Sequence, residues 1–86
     1  MEVIELKDIA KKDMAIDYRR VYTATAVMNI AGMPVEKQIE MALEHTPMGV
    51  VDIKVSLLED LDYPLIPVIK KITEKARDLQ KAGIIY

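Results

Sequence analysis

Apolar and polar positions alternate from Arg20 to Ala31. Tyr22, Ala24, Ala26, Met28 and Ile30 share one face, and Val21, Thr23, Thr25, Val27 and Asn29 the other. A period of two over this length predicts a strand. Ala31-Gly32-Met33-Pro34 reads as a turn. Pairing Ile30 with Val35 across it sets Ala26 opposite Ile39, Ala24 opposite Met41 and Tyr22 opposite Leu43. The small alanines leave room above the strand for something bulky.

Val35 to Glu44 pulls two ways. Its residue types favour a helix, and Pro34 would suit a first turn. The pattern favours a strand. Val35, Ile39, Met41 and Leu43 share one parity, while a helix would stack Glu36, Glu40 and Glu44 in repelling rows. The flank decides. Thr46-Pro47-Met48-Gly49 has proline and glycine where a hairpin turn wants them. With Thr46 opposite Val50, Leu43 meets Ile53, Met41 meets Val55, Ile39 meets Leu57, and Lys37 meets Glu59 as an ion pair. We take the hairpin, with the helix as its alternative. Val50 to Leu58 is a strand in its own right, with Val51, Ile53, Val55 and Leu57 inward.

A 3.6-residue period follows. Leu65, Val68, Ile69, Ile72, Ala76 and Leu79 form one stripe, and charged residues cover the rest. Pro67 belongs in the first turn, with Asp60 or Asp62 as the cap. Gly83 suits a left-handed C′ residue, with Ile84 folding back on Leu79. The N-terminal seventeen residues are less legible: Val3 to Leu6 reads as a short strand, and Asp8 to Ile16 as a helical turn capped by Asp8 or a polar loop. The expected fold is α+β: one domain over residues 1–86, an antiparallel meander of three to four strands packed on one long C-terminal helix.

Composition narrows the function classes. A chain of 86 residues buries only about 60–65% of its unfolded surface, so association would help it. Cysteine is absent and His45 is the single histidine, which removes disulfides, thiolate chemistry and a histidine-rich zinc site. Twelve basic against fourteen acidic residues give a net charge of −2, which argues against broad nucleic-acid or anionic-membrane binding. No apolar run approaches a membrane span and the N-terminus lacks a signal-peptide pattern, so the expected location is cytoplasmic.

Catalytic chemistry has little to draw on. Ser56 is the only serine and lies mid-strand, His45 adjoins a turn where it should be exposed, and no glycine-rich phosphate loop exists. We expect no enzyme and no cofactor. The leading expectation is a small interaction or structural module acting as a homodimer. It rests on the aliphatic core, the uncharged strand between Val21 and Ala31, which needs a neighbour, and the apolar C-terminus. The candidate partner or ligand surface comprises Arg19, Arg20, Thr23, Thr25, Asn29, Ile85 and Tyr86. One alternative is a nucleic-acid-binding module using Arg19, Arg20 and the threonine-lined face. A second is a metal-dependent protein using Glu36, Glu40, Glu44 and Asp52 with His45, although alternate carboxylates on a strand stand about 7 Å apart.

Overall fold

The computed structural model of the chain describes residues 1–12 and 18–85. Four strands, β1 (Glu2–Lys11), β2 (Arg19–Ile30), β3 (Met33–His45) and β4 (Val51–Leu57), are followed by one helix, α1 (Leu65–Lys81). The strands form one antiparallel sheet in the order β1-β2-β3-β4. This is the expected meander and helix, with the N-terminal segment supplying the fourth strand.

The hairpin between β3 and β4 has the expected register: Ile39 faces Leu57, Met41 faces Val55 and Leu43 faces Ile53. The Thr46 N–H donates to the Val50 carbonyl at 2.9 Å, and Gly49 takes the left-handed conformation at φ 82°. The ion pair expected between Lys37 and Glu59 gives way to another contact. β4 ends at Leu57, and the Glu59 carboxylate accepts the Gln38 N–H at 3.0 Å.

The hairpin between β2 and β3 is tighter than expected. Ile30 pairs with Met33, not Val35, around the two-residue turn Ala31-Gly32. Both turn residues are left-handed, at φ 52° and 78°, which matches the twist of the flanking strands. Partners shift by two, so Ala24 faces Ile39 and Tyr22 faces Met41, and every side chain keeps its face.

β1 corrects the reading of the N-terminus. Asp8 begins no helical turn; it lies within the strand at φ 53°. One extra residue is accommodated between Val3 and Glu5 and another between Lys7 and Ala10. Each such bulge flips the alternation. Val3, Leu6 and Ile9, three apart, therefore all reach the core. Residues 13–16 of the expected turn or loop lie outside the described residues.

α1 buries Val68, Ile72 and Ala76 completely, against Ala24, Ala26, Met28, Ile39, Met41 and Leu43. Removing one such aliphatic side chain from water is worth about 1.5–3 kcal/mol. The helix backbone comes closest to the two outer strands, β1 and β4, which curl toward it while the alanines of β2 make room beneath. Pro64 is the N-cap, with no side-chain cap from Asp60 or Asp62; Pro67 sits in the first turn, where a missing N–H costs nothing. At the other end the Gly83 N–H donates to the Gln80 carbonyl at 3.1 Å and the Ile84 N–H to the Leu79 carbonyl at 2.9 Å, a Schellman cap. The apolar residue that folds back is Ile85, fully buried, whereas Ile84 is exposed.

Candidate functional site

The outer face of the sheet, expected to carry a ligand surface, is strapped by ion pairs. Lys7 of β1 reaches Glu36 of β3 at 3.1 Å, and Lys12 reaches Glu40 at 2.9 Å. Both cross β2, because Thr23 of β2 faces Glu40 and Val27 faces Glu36. Arg19 meets Glu44, its direct cross-strand neighbour, at 3.4 Å. The uncharged face of β2 thus lies beneath charges supplied by its neighbours. The hydrogen bond to Glu36, then the attraction of the same carboxylate, raises the Lys7 ammonium above its ordinary pKa. That contribution is in place at neutral pH and fades as pH rises through the raised value.

The expected surface residues separate accordingly. Thr25 is buried, and its hydroxyl accepts a 2.8 Å hydrogen bond from the Gln38 side chain. Thr23 is half-buried and Asn29 exposed. Arg20 shares the core-side parity of Tyr22, opposite Leu43. Ile85 is closed inside the chain's own core, and Tyr86 lies outside the described residues. Tyr22, the aromatic beside the arginines, is only 5% exposed. No open platform of threonines and aromatics is assembled among the described residues for bases to stack on.

The carboxylates expected as a metal site are mostly taken. Glu36, Glu40 and Glu44 each hold a cationic side chain, and no three His, Asp or Glu residues among the described ones converge on a point that could hold a metal. His45 is half-buried, not exposed, and lies on the core-side parity opposite Val51. Ser56 has the other parity, opposite Glu40, so the two do not meet.

The sheet's free flanks differ in how open they are. β1 is broken by its two bulges. β3 extends below β4, but there Glu59 takes the Gln38 N–H, and Pro34 has no N–H to offer on that flank. β4 carries no bulge or proline, and its register is unbroken. The Leu58 N–H donates to the Gln38 carbonyl and the Thr46 N–H to the Val50 carbonyl. In an antiparallel ladder this parity turns the N–H and C=O groups of Val51, Ile53, Val55 and Leu57 outward. A hollow of about 410 Å³ adjoins this strand, lined by Ala42, Glu44, Asp52, Ile53, Lys54 and Arg77. The side chains of Val51, Ile53 and Leu57 are only half-covered.

This strand edge is not apparent in the sequence, where the uncharged β2 looks like the exposed one. The straps are hidden for the same reason as β1: its bulges disguise that Lys7 and Lys12 share a face.

No helix of the described residues is long and apolar enough to cross a membrane. Residues 1–81 match the model of the BB_0187 family, and the chain belongs to that family. No curated protein and no solved structure matches it.

Proposed function

We propose that this family member is a non-enzymatic, cytoplasmic interaction module that works as a homodimer. The observation that carries the reading is the edge of β4, a regular strand with outward backbone groups and half-covered aliphatic side chains. Natural sheets normally blunt such an edge, as this chain does at β1 and at the lower part of β3. A small domain also gains apolar burial by pairing. The non-catalytic part is supported by the separation of Ser56 from His45 and by the engagement of the glutamates with cations.

Light scattering on the full chain across a concentration series tests this. The expected molar mass is twice the 9.7 kDa of one chain. A mass of 9.7 kDa at every concentration contradicts it.

A further inference from the structure

We propose that two copies of the chain join edge to edge through β4, antiparallel about a two-fold axis at Ile53, with Asp52 of each paired to Lys54 of the partner subunit. This rests on the homodimer reading and adds its surface and register.

The argument starts from two charges without partners. On the outer face Asp52 sits directly across from Glu44, a like charge already engaged by Arg19, and Lys54 sits across from Ala42. Among the described residues neither Asp52 nor Lys54 forms an ion pair. Two residues apart on one strand, they stand about 7 Å from each other, too far to pair within the chain. Both are exposed at the open edge.

Identical strands pairing about a two-fold axis admit few registers. An axis at Ile53 sets Ile53 opposite itself, Val51 opposite Val55, and Asp52 opposite Lys54 twice over. An axis at Asp52 or at Lys54 sets like charges face to face, which destabilises a sheet. An axis at Val51 sets the two charges opposite Val50 and Met48, and one at Val55 sets them opposite Leu58 and Ser56. Shifts by a single residue would face outer side chains with core side chains. The backbone selects the same register: Val51, Ile53 and Val55 are the residues whose N–H and C=O point outward, so the ladder closes where the charges match. With the axis perpendicular to the sheet, both helices lie on one side and the two core faces become continuous.

The pair also supplies selectivity. A lone lysine on an edge strand repels chance pairing. With Asp52 two residues away, that guard becomes complementary to one strand in particular, a second copy of itself.

Charge reversal tests this. Asp52→Lys and Lys54→Asp lie on the exposed outer face, and circular dichroism should show both folded. Each alone should weaken dimerisation about tenfold, since two attractions become two repulsions. Mixed in equal amounts they should associate as a heterodimer, each variant supplying the charges the other lacks. The unaltered dimer should weaken as salt is raised, a readout that needs no variant. A wild-type dimer with variants that associate as tightly as it does, or a mixture no tighter than its components, overturns the β4 register and leaves the homodimer reading standing. A monomeric wild-type chain overturns both.

Discussion

Ala31 occupies a left-handed position at φ 52°, where a Cβ is strained, and a two-residue turn of this kind favours Asn or Gly. Ala31→Gly should therefore stabilise the chain by about 0.5–1 kcal/mol. That is a rise of several degrees in Tm for a domain this small; a thermal melt that moves down contradicts the assignment of the turn. The C-terminus gives a second contrast. Ile85 is fully buried and Ile84 is 59% exposed. Ile85→Ala should cost about 2–5 kcal/mol in a denaturant titration, while Ile84→Ala should stay within about 0.5 kcal/mol. Equal effects would mean that the neighbours have been exchanged. The sequence located the cap at Gly83 but assigned the apolar contact to Ile84. Beyond the cap the chain keeps turning, with the Ile85 N–H 3.5 Å from the Leu79 carbonyl, and the inward side chain is one residue further on.

Elements that obey one period were legible. β2 and α1 follow their alternation and their stripe, and β4 with β3 follows a register that only a hairpin satisfies. Ile72 lies in the centre of the stripe, so Ile72→Asp should unfold the domain by placing an unpaired charge among Val68, Ala76 and the sheet; a cooperative melt near that of the parent chain would refute the packing of α1. β1 was illegible because its two bulges replace a period of two with apolar residues every third position, a spacing that resembles a helix as much as a strand. The consequence reached the candidate site. Without β1 beside it, β2 looked like an unprotected edge, and Thr25 like part of a ligand platform. With β1 in place, Lys7 and Lys12 reach over β2 to the glutamates of β3, and the openness passes to β4.

The whole molecule is long for its mass, 41 × 23 × 21 Å. Strands of 12 and 13 residues at about 3.4 Å per residue account for the long axis. A single 17-residue helix, about 26 Å long, covers one face, and β4 covers only the upper half of β3. A second copy at β4 would continue the sheet, cover Ile53 and Val51, and leave only the bulged β1 strands as edges. Amide hydrogen exchange read residue by residue tests this most directly. Lys54 and Ser56 donate toward β3 and should be protected whatever the oligomeric state. Ile53 and Val55 donate outward, so they should be protected only if a second β4 is there to accept. Protection of the Ile53 and Val55 amides that is lost on dilution is the predicted result. Fast exchange at both, alongside protected Lys54 and Ser56 at high protein concentration, would contradict pairing through β4.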